Sequence, residues 1–345
     1  MYDFLNTLPR ESYFAAANGY SGFTSLFDCI FDRKLLTRTY VIKGGPGTGK
    51  STILKELCKF GNKKGLSHEA LFCSSDPYSL DGVILGNGGK SVAFLDGTAP
   101  HEQDAKYPGA LDEIINLGEG FDKESLYLSR NEIISINEKK KDDYGNAYKF
   151  LKLAGEVNKV QRELFFKNVN ESFLQDIAEK ICERINAEKT DKRFVRYVSS
   201  FGRYGYRRLN EFSNGKKIIK IKGDGHTEFF LISLIFKLAS NTVSLICPSP
   251  FRYVDTEALV IGDTVIMTDS KAQIDVCNYE ISKEKTITEL KEEEQRLLSL
   301  SVESFRKASE LHFELEELYK RAVDFKNNDR ILQKLKSECI NWLNQ

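Results

Sequence analysis

Thr39-Tyr-Val-Ile-Lys-Gly-Gly-Pro-Gly-Thr-Gly-Lys-Ser-Thr-Ile-Leu-Lys-Glu-Leu57 passes from a short β-branched run, through a cluster of glycines, into a helical pattern. Strand, loop and helix follow in that order. This context gives Gly44, Gly49, Lys50 and Ser51 their meaning, because GxxxxGK[ST] between a strand and a helix is a phosphate-binding P-loop. Glycines let backbone N–H groups converge on phosphates, and the following helix aims its positive end at them. Lys50 reaches the outer phosphates and the Ser51 hydroxyl ligates Mg²⁺. The expected cradle is Gly44, Gly45, Pro46, Gly47, Thr48, Gly49, Lys50, Ser51 and Thr52. A purely structural glycine turn has no need of Lys50 and Ser51 at those positions.

Such a loop needs a carboxylate at the end of a second buried strand, and Ser91-Val-Ala-Phe-Leu-Asp96 has that form. In P-loop proteins this acid holds Mg²⁺ through its waters, so Ser51 and Asp96 are the expected metal pair. The competing reading is an Asp-Gly turn with Gly97. Asp76 and Asp81 are weaker candidates for the same role. The polar stretch from Gly97 to Asp112 would lie beyond the carboxyl end of a strand, where α/β sheets bind ligands. Thr98, His101 and Asp104 are therefore candidate catalytic residues beside Lys50 and Asp96. Glycine, not glutamate, follows Asp96, so the adjacent water-activating acid of many motor ATPases is missing.

The chain also repeats itself. Tyr40-Val-Ile-Lys-Gly-Gly-Pro-Gly-Thr-Gly-Lys-Ser51 aligns with Ile219-Lys-Ile-Lys-Gly-Asp-Gly-His-Thr-Glu-Phe-Phe230, which puts Glu228 at Gly49 and phenylalanines at Lys50 and Ser51. An acidic, bulky loop opposes phosphate, so the second copy reads as degenerate. Tyr13 to Phe23 likewise matches Arg196 to Tyr206, Cys73 to Asp81 matches Cys247 to Asp255, and Ser91 to Asp96 matches Thr264 to Asp269. Each copy ends in charged segments with apolar residues at three- and four-residue steps, read as helical hairpins near 122–190 and 283–344. Packing between the repeats is the simplest use for these arms. The expected fold is α/β, with two tandem parallel-sheet units divided as 1–190 and 191–345, the first with the intact loop.

Composition bounds the partners. Fifty basic residues balance fifty acidic ones, which removes the sequence-wide attraction to nucleic acid. No apolar run reaches the roughly 20 residues of a membrane span, and Met1 to Arg10 lacks a signal-peptide core, so a cytoplasmic location is expected. Seven cysteines without a CxxC pair suggest neither a disulfide framework nor a zinc site.

Three strings together, Tyr13 to Phe23, Gly44 to Ser51, and Leu95-Asp-Gly-Thr-Ala-Pro-His101 with Tyr107-Pro-Gly-Ala-Leu-Asp-Glu-Ile-Ile-Asn-Leu-Gly118, resemble an uncharacterised bacterial family of tandem P-loop ATP-binding proteins. The resemblance spans nearly the whole chain and implies tandem architecture and ATP binding, in a family loosely labelled ATPase or nucleotide-kinase-like. It also implies a second Walker A loop, which this chain lacks. The expected ligand is ATP with Mg²⁺, and the expected activity is ATP hydrolysis at one site. The alternatives are phosphoryl transfer to a small molecule or nucleotide, and a non-hydrolysing ATP-gated scaffold whose arms grip a protein. Arg10, Arg130, Arg203 and Arg207 are the arginines open to a role at the phosphates.

Overall fold

The computed structural model describes residues 11–100, 102–167, 169–251, 255–278, 280 and 283–345. The first repeat contains β1 (Glu11–Phe14), β2 (Ala16–Gly19), β3 (Gly22–Ser25), α1 (Phe27–Ile30), β4 (Arg38–Lys43), α2 (Lys50–Lys64), β5 (Ser67–Phe72), β6 (Leu80–Asn87), β7 (Lys90–Asp96) and β8 (Asp112–Asn116). Three helices follow, α3 (Lys123–Leu128), α4 (Arg130–Phe166) and α5 (Glu171–Glu183). The second repeat contains β9 (Phe194–Val195), β10 (Ser199–Gly202), β11 (Gly205–Arg208), β12 (Lys217–Lys222), α6 (Thr227–Leu238), β13 (Val243–Pro248), β14 (Thr256–Ile261), β15 (Thr264–Thr268) and β16 (Ile274–Asp275). It ends in α7 (Lys285–Lys320) and α8 (Lys326–Asn344).

The sheets repeat each other strand for strand. The first runs β1-β5-β6-β7-β4-β8 and the second, read from its other end, β9-β13-β14-β15-β12-β16. Only β6 and β14 run against their neighbours. Gly88 and Gly89, at φ of 57° and 86°, make the tight turn that reverses β6 into β7. The matching topology is what a duplicated sequence predicts. One correspondence shifts in register, however. Asp96 lies opposite Ile42, whereas the residue opposite Ile221 is Thr268, so Asp269 stands one residue further out.

A mostly parallel sheet must be covered on both faces. Tyr40, Ile42, Phe72 and Phe94 face one way and pack under α2, while Val41, Leu71, Ala93 and Leu95 face the other. This second set meets Leu245, Cys247, Ala258, Val260, Val265 and Met267 from the opposite sheet in one core. The outward face of that sheet, through Leu259, Ile261 and Ile266, packs under α6. The result is four layers: helices, sheet, sheet, helices.

The arms depart from the expected hairpins. α4 (37 residues) and α7 (36 residues) instead run antiparallel along one another, with Phe305 against Tyr144 and Tyr148, and Ser301 donating to the Ala147 carbonyl. At their middle Glu294 is buried and accepts hydrogen bonds from Tyr20, Asn158 and Gln161. The terminal helices then exchange. Leu174, Ala178 and Ile181 of α5 join the core of the second repeat, and Leu335, Cys339 and Leu343 of α8 join that of the first. A boundary at residue 190 therefore divides the chain but not the packing. The cause is length: at 1.5 Å per residue α4 carries the chain about 55 Å, too far to return to its own sheet by a short turn.

Candidate functional site

The glycine loop leaves β4 at Lys43 and enters α2 at Lys50. Gly47 and Gly49 hold φ of 68° and 90°, values that side chains resist, and alternation of this kind turns successive N–H groups to one side. Among the described residues no side chain caps α2, and its first turn carries no acid. Among the described residues, no acceptor takes the N–H groups of Gly47, Thr48 or Gly49. The helix dipole adds about half a positive charge at the same end. Lys50 Nζ donates to the carbonyls of Gly44 and Gly45, both at 2.9 Å, and stands 3.7 Å from Asp96 Oδ2. The arrangement suits an anion.

The second glycine loop answers the same electrostatics from within. Both Glu228 carboxylate oxygens accept from Gly225 N–H at 3.1 Å. Asp224 Oδ1 takes the N–H groups of His226 and Thr227 at 3.1 Å, and its Oδ2 that of Asn278 at 3.0 Å. Carboxylates of the chain stand against this loop's amides, where the first loop keeps its amides clear. Its degenerate sequence thus has a structural counterpart.

Of the residues expected around the loop, Asp96 ends β7 beside β4, and both the N–H and the hydroxyl of Thr98 donate to its Oδ1, at 2.9 and 2.5 Å. Thr98 therefore fixes the carboxylate, which leaves Oδ2 to face Lys50. Ser51 Oγ accepts from the Leu80 N–H at 3.0 Å and keeps its second lone pair. Thr52 is exposed on α2. Asp104 is largely exposed and pairs with Lys43 at 2.8 Å, so it does not converge on Lys50 and Asp96. His101 and Arg10 lie outside the described residues. Asp112, at the end of the polar stretch, is fully buried and committed to Arg33 at 2.9 Å and to the Tyr107 N–H at 2.7 Å, a structural pin.

A further set of contacts had no motif to announce it. The elbow between α7 and α8 packs directly on the loop. A Cβ on Gly45 would lie 2.9 Å from the Tyr319 ring, on Gly47 2.6 Å from the Glu316 carbonyl oxygen, and on Gly49 2.8 Å from Asn328 Nδ2. Asn328 Nδ2 also donates to the Thr48 carbonyl at 2.8 Å. The elbow is sewn to the segment after β8 by Asp122 N–H to Ala322 O and Asp324 N–H to Gly120 O, and the Tyr319 ring packs on Phe121. Glycine at Gly45 and Gly47, which the motif itself leaves free, is the one trace of this contact in the sequence.

Two cavities open elsewhere on the surface. One, of about 430 Å³, opens on the edge strand β8 and is lined by Arg38, Asp104, Pro108 and Glu113. Its walls run from Arg38, which begins β4, to Asp104, which pairs with Lys43 at the glycine-loop end of that strand. The other, of about 550 Å³, is an acidic groove between α4 and α7 lined by Glu132, Glu310, Glu314 and Glu317. Among the described residues no cluster of metal-ligating side chains occurs, and no helix is long and apolar enough to cross a membrane. Set against family models, curated proteins and solved structures, the chain matches none.

Proposed function

We propose that the Gly44–Ser51 loop is a P-loop that binds Mg-ATP, and that the chain is a slow ATPase with one working site. The observation that carries this is the contrast between the two loops: the first has free amides, Lys50 and no nearby carboxylate on its helix, and the second has its own carboxylates on its amides. In this reading the N–H groups of Gly47 to Ser51 cradle the β-phosphate, and Lys50 exchanges two loop carbonyls for phosphate oxygens. Magnesium fits a site made of Ser51 Oγ, water on Asp96 Oδ2 and the phosphates themselves, which is why no protein-only cluster is needed. The bound metal would neutralise developing phosphate charge. Thr98, spent on Asp96, does not orient water, and no acid follows Asp96, so turnover should be low. Phosphoryl transfer to a metabolite is the weaker reading, since Asp104 of the 97–112 stretch is largely exposed and spent on Lys43.

The test is titration calorimetry of the full chain with Mg-ATP, together with phosphate release. Wild type should bind, and Lys50→Ala should bind at least about tenfold more weakly, the loss of one charge-assisted contact. Equal heats from both proteins would remove the loop from the site.

A further inference from the structure

The first repeat supplies a cradle and a lysine but, among the described residues of its own part of the chain, no arginine over the loop. Arg130 lies exposed over Tyr127, at 4.5 Å from its ring. The second repeat brings another toward it. Its hairpin β10–β11 lies on the loop that leads into β6: Ser200 Oγ donates to the Ser74 carbonyl at 2.9 Å, and a Cβ on Gly202 would sit 2.7 Å from the Ser75 carbonyl oxygen. At the turn of this hairpin Tyr204 packs edge-on against Tyr78, ring centres 5.9 Å apart. Tyr78 stands two residues before Leu80, whose N–H is bound to Ser51 Oγ.

Arg203 occupies the same turn. Its guanidinium lies over Tyr204 at 4.6 Å and over Phe313 of α7 at 4.7 Å. Phe313, Glu316 and Lys320 follow the i, i+3, i+7 spacing of one helical face, and Glu316 and Lys320 are the residues against Gly47. The Arg203 carbonyl accepts from Arg306 Nε at 3.1 Å, and its side chain runs along α7 toward the loop as far as Phe313, one helical turn before Glu316. The two links from its turn, Phe313 to α7 and Tyr204 to Tyr78, both lead toward the glycine loop. Its Nε is buried and, among the described residues, has no hydrogen-bond partner.

The repeat supplies an internal comparison. β2–β3 and β10–β11 have the same two-residue turn, Gly19-Tyr20-Ser21-Gly22 and Gly202-Arg203-Tyr204-Gly205, each docked on the other repeat. At the position of Arg203, the hairpin that faces the carboxylate-filled loop carries Tyr20, engaged with Glu294. A cation stands only where the cradle is intact.

We infer that Arg203, delivered by the second repeat, is the arginine that contacts the terminal phosphate in the first repeat's site, so that each repeat supplies half of one centre. The inference rests on the ATP reading above. In the hydrolysis a water oxygen bonds to the γ-phosphorus while the β–γ bridging oxygen leaves with ADP, and the water's protons pass to the phosphate product and to solvent. Arg203 exchanges no proton and supplies charge and the planar two-donor fork that suits phosphate. To reach it the side chain leaves its stack on Phe313 and Tyr204.

The experiment compares wild type, Arg203→Ala, Arg203→Lys and Arg207→Ala as full chains, measuring Mg-ATP and Mg-ADP affinity, phosphate release and melting temperature. Arg203→Ala should lower turnover about tenfold or more, with unchanged Mg-ADP affinity, because the contact is to the terminal phosphate. Millimolar guanidinium should restore part of the rate to Arg203→Ala and none to Lys50→Ala. Arg203→Lys should not regain the wild-type rate, and Arg207→Ala should leave it unchanged. If wild type binds without turning over, the readout becomes its preference for ATP over ADP, which Arg203→Ala should cut about tenfold. Turnover or preference indifferent to Arg203→Ala overturns this inference alone, and so does a loss that guanidinium fails to rescue and that follows the melting temperature. A wild type that binds no nucleotide overturns the ATP reading and this inference with it.

Discussion

Gly47→Ala isolates the pressure of the elbow on the glycine loop. Two costs act at once. A side chain at φ 68° is strained by about 1–2 kcal/mol. Its Cβ would also lie 2.6 Å from the Glu316 carbonyl oxygen and 3.1 Å from the Glu316 Cα, atoms of a helix backbone that yields only by moving α7, which adds about 1–3 kcal/mol as overpacking does. Gly65→Ala separates the two, because Gly65 has nearly the same φ, 67°, with nothing within 4 Å of a Cβ. Gly65→Ala should therefore cost only the strain. In paired thermal melts Gly47→Ala should fall further, by on the order of 5 °C, and should lose ATP affinity while Gly65→Ala keeps it. Equal melting temperatures for the two variants would mean that the elbow does not bear on the loop.

Two other perturbations probe how the arms are held. Burial pushes the Glu113 carboxyl up, but Lys334 of α8 and Arg38 of β4, hydrogen-bonded at 2.7 and 3.0 Å, outweigh it and hold the group below its ordinary value. Because the folded value is depressed, the stabilisation is complete above the unfolded carboxylate range near pH 4.3 and is lost as pH falls through the folded value. Glu113→Gln should therefore melt lower than wild type at pH 7, by about 0.5–1 kcal/mol after allowance for its partial exposure, and the two curves should converge in acid; a gap that widens in acid contradicts the pairing. Glu294→Ala removes the acceptor for Tyr20, Asn158 and Gln161 in the α4–α7 seam and should cost about 3–5 kcal/mol in denaturant unfolding. A cost below about 1 kcal/mol would show those donors to be satisfied elsewhere.

What the sequence made legible was local. The β4–glycine loop–α2 order, the strand ending at Asp96 and the duplication all follow from patterns within a few dozen residues, and the matched strand orders agree with them. The four-layer stacking was not legible, because Val41 and Tyr40 are equally apolar and nothing local tells which face meets helices and which meets another sheet. The exchange of α5 and α8 was hidden for the same reason: an amphipathic helix states that it covers a surface, not whose. The role of Asp112 was illegible for a different reason. It sits in a stretch that reads as a ligand-binding loop, yet its partner is Arg33, 79 residues earlier, and the pair is sealed from solvent. Thr98, read as a candidate for positioning water, also donates twice to the Asp96 carboxylate, a contact that its place in the sequence did not announce.

The exchanged helices also set a timetable. The strands of the first sheet have all been synthesised by Asn116, but its outer face waits for α8, whose last residue is Asn344, 344 − 116 = 228 residues later. At 5–20 residues per second that is on the order of 10 to 50 s on the ribosome. The first half to be made is thus the last to be finished, and a chain that stops short by a single helix leaves its defect at the opposite end of the gene product.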